Sequence, residues 1–114
     1  MVSQQSVRRS VNKSIVIGFS TTTTDGTSTE VVTAATIATV GAKTIREISL
    51  KLTGDDAYLG FGKTATKTPG HDIAIIFDND DYGFFSLENC AYESLNVIRA
   101  SSTDITVEGY VVVN

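Results

Sequence analysis

Apolar and polar residues alternate along much of this chain, and the clearest alternation lies between residues 48 and 62. Segments 48–53 and 57–62 each have a period of two residues, and Thr53-Gly54-Asp55-Asp56 lies between them. Period-two alternation on both sides of a Gly/Asp turn is typical of a β-hairpin with one buried face. The pattern therefore predicts a hairpin over residues 50–63.

Short patterns of the same kind recur along the chain, and segments rich in Gly, Asp, Ser or Thr separate them. Many short strands with regular turn signals are typical of a sandwich or jelly roll rather than of a βαβ fold. The sequence predicts an all-β fold, a single antiparallel, jelly-roll-like β-sandwich of about eight strands. The predicted strands are residues 14–20, 30–40, 44–53, 57–63, 72–77, 84–87, 95–101 and 105–113.

The sequence pattern of residues 30–40 fits either a helix or a strand. Val31, Ala34, Ala35 and Ala38 would share one face of a helix, whereas the many β-branched residues of this segment favour a strand. We predict a strand. The last segment, 105–113, is hydrophobic up to the end of the sequence, so we expect it to lie within a sheet.

Composition supports the β prediction. The chain has 114 residues, enough for one domain with a single core, and contains sixteen Thr and eleven Ser. Thr, Val and Ile suit a pleated surface better than a helix. A formal net charge of -4 argues against a nucleic-acid partner.

The charge is unevenly distributed. Arg8, Arg9 and Lys13 give the first fourteen residues a charge of +3 without any acid, so the rest of the chain carries -7. We predict a basic N-terminal arm over residues 1–13 and a β-sandwich domain over residues 14–114. A frayed terminus is one interpretation of the arm. The other is a segment that becomes ordered on a neighbouring, acidic subunit.

Residues with catalytic or metal-binding chemistry are sparse. Cys90 and His71 are the single cysteine and the single histidine, which do not make a typical zinc set or a disulfide framework, and no nucleophile motif accompanies His71. Asp78, Asp80 and Gly83 fit the first positions of a calcium-binding EF-hand loop, but Asn89 stands where its final Glu belongs. We predict no enzyme activity, no catalytic residue, no cofactor and no metal, and we interpret the acidic turn as solvated.

Neither a secretory signal nor a membrane span is expected. The N-terminus is polar, and the apolar runs are far shorter than the roughly 20 residues that a spanning helix needs.

Two further patterns bear on binding. Gly60 and Gly62 lie on one face of a predicted strand and leave a bare strip of backbone, against which another sheet or another chain could pack. Tyr58 lies on the same face.

The aromatic residues could also stack against sugar rings, although in a small sandwich they more often lie in the core. A carbohydrate-binding module is therefore an alternative function.

Segments 55–62 and 95–104, followed by the closing strand 105–113, resemble small β-sandwich virion proteins of tailed bacteriophages. The resemblance rests on an Ala-Tyr-x-x-Phe-Gly strand, here Ala57 to Gly62 with Leu59 and Gly60 at the two variable positions, and on the later Ile98-Arg99-Ala100. It covers roughly the second half of the chain. That family includes capsid decoration (cement) proteins and head or tail accessory proteins.

The resemblance implies a protein that binds rather than turns over a substrate. It implies a capsid decoration protein made in the host cytoplasm and located in the virion, with a major capsid or other virion protein as partner and usually a trimer or dimer. A head–tail or tail accessory protein is the alternative within this family. Arg99 matches the family arginine, and we expect it to form an ion pair or structural hydrogen bonds. The predicted interface residues are Arg8, Arg9, Lys13, Tyr58, Gly60, Gly62 and Arg99.

Overall fold

The computed structural model describes residues 14–68, 70, 72–78 and 83–114. This part of the chain forms strands and one short helix, α1, which has six residues. The elements in chain order are β1 (Ile15–Thr23), β2 (Thr29–Val32), α1 (Ala34–Thr39), β3 (Ile45–Thr53), β4 (Ala57–Phe61), β5 (Ile73–Ile76), β6 (Phe84–Leu87), β7 (Leu95–Arg99) and β8 (Ile105–Val113).

The strands form two four-stranded antiparallel sheets. The first sheet has the order β1-β8-β3-β6, and the second has the order β2-β7-β4-β5. Each strand of the first half of the chain therefore pairs with one from the second half, β1 with β8, β2 with β7, β3 with β6 and β4 with β5. This is the arrangement of a long antiparallel ribbon rolled into two layers, which is a jelly roll. The predicted all-β sandwich of about eight strands is confirmed.

The core lies between the two sheets and follows the period-two pattern. Ile48, Leu50 and Leu52 of β3 are at most 2% exposed, and Val107 and Val111 of β8 are fully buried. Alternate residues of one strand point to the same side of a sheet, so a single apolar face per strand is enough to fill this space. The closing strand lies in the middle of its sheet, as the sequence predicts.

The predicted hairpin over residues 50–63 is wrong. β3 and β4 have the predicted alternation, but β3 pairs with β8 and β6 whereas β4 pairs with β5 and β7. Residues 54–56 cross from one sheet to the other and form an arch. The two strands face each other across the core, and such an arrangement also requires one buried face on each strand.

The strand prediction for residues 30–40 is also wrong beyond Val32. Only Thr29–Val32 is a strand, and α1 follows it. The Thr33 hydroxyl accepts a hydrogen bond from the backbone N–H of Thr36 at 3.0 Å and so caps the first turn of the helix. Ile37 is 1% exposed and anchors the helix to the core. The alanine-rich composition and this cap outweigh the β-branched residues.

Candidate functional site

The two sheets differ in what covers their outer faces. The outer face of the sheet β1-β8-β3-β6, here called the open face, carries rows of side chains defined by the strand register. The middle rows are Gly18–Tyr110–Ser49–Ser86 and Ser20–Glu108–Lys51–Phe84, and Val16–Val112 and Thr22–Thr106–Thr53 lie on either side of them.

Apolar side chains stand out from this mostly small and polar surface. Val16 is 64% exposed, Phe84 60% and Tyr110 45%. Tyr110 lies near the middle of the sheet with Gly18 on one side and Ser49 on the other, so its ring has small neighbours. The ammonium group of Lys51 lies 5.8 Å from the centre of the Phe84 ring, within range of a cation–π contact. The three side chains lie in three neighbouring rows of this face, and exposed apolar surface rimmed by polar residues marks protein-binding sites when it is contiguous.

The chain itself covers part of the outer face of the sheet β2-β7-β4-β5. The segment 62–68 lies against it, and Ala65 of this segment is 2% exposed. The amide nitrogen of Asn96 donates to the carbonyl of Lys63 at 2.8 Å, and the backbone N–H of Ala65 donates to the Ser28 hydroxyl at 2.9 Å. These bonds hold the segment across the part of the sheet around Gly60 and Asn96. The row Ile75–Tyr58–Ile98 lies beyond the segment, and Ile75 is 37% exposed.

The predicted bare strip at Gly60 and Gly62 is therefore not an exposed feature. Gly60 is buried, and a Cβ atom built there would lie 2.5 Å from the carbonyl oxygen of Lys63 and 2.8 Å from the nitrogen of Ala65. The close packing predicted from these glycines is present, but the covering segment belongs to the same chain. Gly62 is exposed beyond the end of β4, where its nearest neighbour is Tyr92.

Tyr58 lies between Ile75 and Ile98 in the register of its sheet and is half-buried. The structure does not bring Tyr58 and Gly62 together as one exposed patch. A role for either residue in an interface stays a prediction.

Arg99 makes the predicted ion pair. Its Nη1 atom lies 2.5 Å from Oδ1 of Asp104, and its side chain is 14% exposed. The pair bridges the two ends of the β7–β8 connection. Because Asp104 is 58% exposed, solvent screens the pair, and its contribution to folding is about 0–1 kcal/mol. The part of Arg99 in binding a partner stays a prediction.

One end of the sandwich is acidic. The connections β1–β2, β3–β4, β5–β6 and β7–β8 all lie at this end, and each crosses between the sheets. We call this end the acidic end. Among the described residues of these connections the acids are Asp25, Asp55, Asp56, Asp78 and Asp104.

Hydrogen bonds tie the acidic connections together. The Ser101 hydroxyl donates to Asp55, and the backbone N–H of Asp78 donates to Asp56 at 2.9 Å. The Ser101 bond, assisted by the backbone N–H of Asp56, holds the pKa of Asp55 below its usual value. Bonds from the hydroxyl and backbone N–H of Thr27 lower the pKa of Asp25 in the same way. Asp25 and Asp55 therefore keep their charge at neutral pH.

Several sequence predictions fall on residues that the structure does not describe. Arg8, Arg9 and Lys13 of the arm, His71, and residues 79–81 of the acidic turn lie outside the described residues. Within the described ranges, no group of three or more His, Cys, Asp or Glu side chains is arranged to hold a metal ion. In the same part of the chain, no helix has the length and apolar character to cross a membrane.

Three aromatic rings stack against one another at the core and do not form an exposed platform. They belong to Phe61, Phe85 and Tyr92. The ring centres of Phe61 and Tyr92 are 5.2 Å apart, and those of Phe61 and Phe85 are 6.0 Å apart. Phe61 is 7% exposed. Next to this stack, Cys90 is half-buried, its thiol donates to the carbonyl of Ile45 at 3.4 Å, and burial raises its pKa, so it stays protonated at neutral pH.

A polar depression of about 470 Å³ lies at the end of the open face opposite the acidic end. Charged and amide side chains dominate its wall, so it suits a small polar group better than an apolar ligand. Its lining residues are Ser14, Arg46, Glu47, Asn89, Val112 and Asn114.

The open face is the feature that sequence reasoning missed. Its signal is present in the sequence as apolar residues on the otherwise polar side of an alternating strand, at Val16, Tyr110 and Val112. No family model, curated protein or solved structure matches this chain.

Proposed function

We propose that the protein is a structural virion protein of the decoration type, which binds an assembled phage capsid lattice and stabilises it. The observation that carries this proposal is the open face, a broad four-stranded surface on which Tyr110 and Phe84 are exposed. The sequence resemblance to small virion proteins supports it independently.

The physical basis of such a function is mass action. A protein that binds the assembled lattice but not its separate subunits lowers the free energy of the assembled state alone. A broad, four-stranded face suits this task, because it can contact two adjacent lattice subunits at once. Aromatic side chains contribute most to such contacts, since they bury a large area and lose few rotamers on binding.

The first test measures binding to purified tailed-phage heads that were assembled without this protein. We expect the wild-type chain to co-sediment with these heads in a saturable way. A variant carrying Tyr110→Ala and Phe84→Ala should bind about thirtyfold more weakly or worse, because truncating a central aromatic contact costs roughly 2 kcal/mol or more.

Phe77→Ala provides the matched control. Phe77 is 43% exposed, close to the value for Tyr110, but it follows β5 of the other sheet and lies off the open face. Binding by this variant should equal that of the wild type. Equal binding by the double variant would eliminate the open face as the contact surface, and failure of the wild-type chain to bind heads would contradict the decoration function.

The same binding assay distinguishes the alternatives. Saturable binding to purified tails or head–tail connectors without binding to heads would identify an accessory protein. Saturable binding to glycans without binding to either particle would identify a carbohydrate-binding module. Jelly rolls serve both in viral capsids and in lectins, so the fold alone does not separate these functions.

A further inference from the structure

Among the described strands, β1 is a long edge strand with a neighbour on one side only. It has nine residues, Ile-Val-Ile-Gly-Phe-Ser-Thr-Thr-Thr, without a charge or a proline, and among the described strands it pairs with β8 alone. The other edge strands, β2, β5 and β6, have four residues each. Natural sheets blunt their edges with short strands, charges or prolines, because a bare edge offers backbone donors and acceptors to another strand. β1 has none of these protections.

The inward side of β1 is incompletely covered. Ile15, Ile17 and Phe19 point towards the core but remain half-buried, whereas Val111 and Val113 of the adjacent strand β8 are fully buried. The core therefore extends to this edge without closing there. A strand added beside β1 would pair with the backbone groups on the side of β1 that no described strand occupies, and it would cover these three side chains at the same time.

We propose that β1 pairs in antiparallel fashion with β1 of a second copy of this chain, and that the basic N-terminal arm of each copy binds the acidic end of the other. A two-fold axis at Phe19 would pair all nine residues of the strand. Such an interface is self-complementary, and because β1 is uncharged it brings no like charges together.

Antiparallel pairing also determines where the arms lie. Ser14 precedes β1 at the end of the sandwich opposite the acidic end, so the two-fold axis carries the first residues of each copy to the acidic end of its partner. In this register Ile15 of one copy pairs with Thr23 of the other, whose β1–β2 connection carries Asp25. Within one copy, by contrast, the arm leaves β1 at the end away from these acids.

Charge complementarity favours this arrangement over pairing with an unrelated strand. The arm carries +3 from Arg8, Arg9 and Lys13. The acidic end carries five described aspartates, and Arg99 is paired with one of them, Asp104. Opposite charges that meet across an interface raise the association rate and fix its register.

The first experiment measures the mass of the full chain in solution by sedimentation equilibrium. We expect a two-chain species for the wild type. Ser20→Lys should weaken the dimer about tenfold or more, because Ser20 lies next to the proposed axis, opposite Gly18 of the other copy, and its substitution sets the two ammonium groups at diagonal positions on one face. Ser86→Lys adds the same charge to the same face on β6, away from β1, and should leave the dimer unchanged.

A mixing experiment guards against a general loss of folding. Ser20→Lys and Ser20→Glu should each be mainly single chains, and an equimolar mixture of the two should recover the two-chain mass because opposite charges then meet at the axis. Failure of the mixture to associate would contradict the proposed pairing. So would a wild-type chain that sediments as a single chain.

The second experiment tests the arm. Lys13→Asp and Asp25→Lys should each weaken the dimer, and the double variant should restore it, because the exchange re-forms the pair with its charges reversed. Lys67→Asp, which changes an exposed lysine in the segment that covers the other sheet, is the control for charge alone. If the loss of dimer affinity in the double variant equals the sum of the losses in the two single variants, the arm does not bind the acidic end.

These outcomes are separate from lattice binding. A dimer that fails to bind phage heads would contradict the proposed function and leave the β1 pairing intact. A single chain that binds heads would contradict the pairing and leave the proposed function intact.

Discussion

Gly54 shows how much depends on a single backbone position in the arch between β3 and β4. Its φ angle is +112°, and a Cβ atom there would lie 2.4 Å from the carbonyl oxygen of Asp104. The first arch therefore packs directly on the second, the β7–β8 connection. Only glycine permits both this conformation and this approach.

We expect Gly54→Ala to lower the free energy of unfolding by about 2 kcal/mol or more, since a strained φ costs about 1–3 kcal/mol and the clash adds to it. Urea unfolding followed by circular dichroism measures the change. Gly26→Ala is the matched control, because a Cβ atom at Gly26 has open space around it and should change the free energy by less than about 0.5 kcal/mol. Equal urea midpoints for Gly54→Ala and Gly26→Ala would show that the two arches can move apart without a loss of stability.

At the scale of elements, the two arches are joined by the hydrogen bond from Ser101 to Asp55 and by the bond from the Ala100 N–H to the carbonyl of Asp56 at 3.0 Å. The pKa of Asp55 is lower in the folded state than in the unfolded chain. Such a group contributes stability above its unfolded pKa, and the contribution is lost as the pH falls through the folded pKa. The pKa of Asp25 is also lowered in the folded state, so Asp25 likewise contributes stability that is lost as the pH falls.

We therefore expect the protein to lose stability as the pH falls below about 4, the usual range of an aspartate. Ser101→Ala removes the largest cause of the shift, so the pKa of Asp55 should rise towards its ordinary value. Carboxyl chemical shifts followed by NMR over a pH titration measure this change. Ser102→Ala, at the exposed neighbouring position, should leave the pKa of Asp55 as it is in the wild type. An unchanged pKa in Ser101→Ala would mean that the hydroxyl does not hold this carboxylate.

The arch itself explains why sequence reasoning predicted the wrong connection here. Alternation at Ile48, Leu50 and Leu52, and again at Leu59 and Phe61, requires one buried face on each strand. A hairpin within one sheet and an arch between two sheets both meet that requirement. The pairing partners that distinguish them are distant in the sequence, as in Leu50 with Gly109 and Leu59 with Val97.

At the scale of the whole molecule, the jelly roll separates the surfaces that the proposals use. The open face lies on one sheet, the β1 edge borders it, and the acidic end closes the sandwich beyond Thr23. One molecule could therefore bind a lattice through its open face while its β1 edge pairs with a second copy.

Deleting residues 1–13 tests the arm at this scale. We expect the shortened chain to keep its thermal unfolding transition, because the core lies within residues 14–114. Its binding to phage heads should weaken, since the arm carries the +3 charge that we expect to hold neighbouring copies of this chain together on the lattice. Co-sedimentation with heads measures the loss, and restoring only residues 8–13 should recover most of the binding. Undiminished binding after the deletion would rule out the arm as a tether.

The sequence by itself determined the class of fold, most of the strands and which side of each strand is buried. These properties are local, because the side chains of a strand alternate in direction whatever the strand pairs with. Only the tertiary structure decided which strands are neighbours and which part of an outer face the chain itself covers. Those depend on contacts between distant segments, such as Ala65 with Ser28 and Gly54 with Asp104, which no local pattern records.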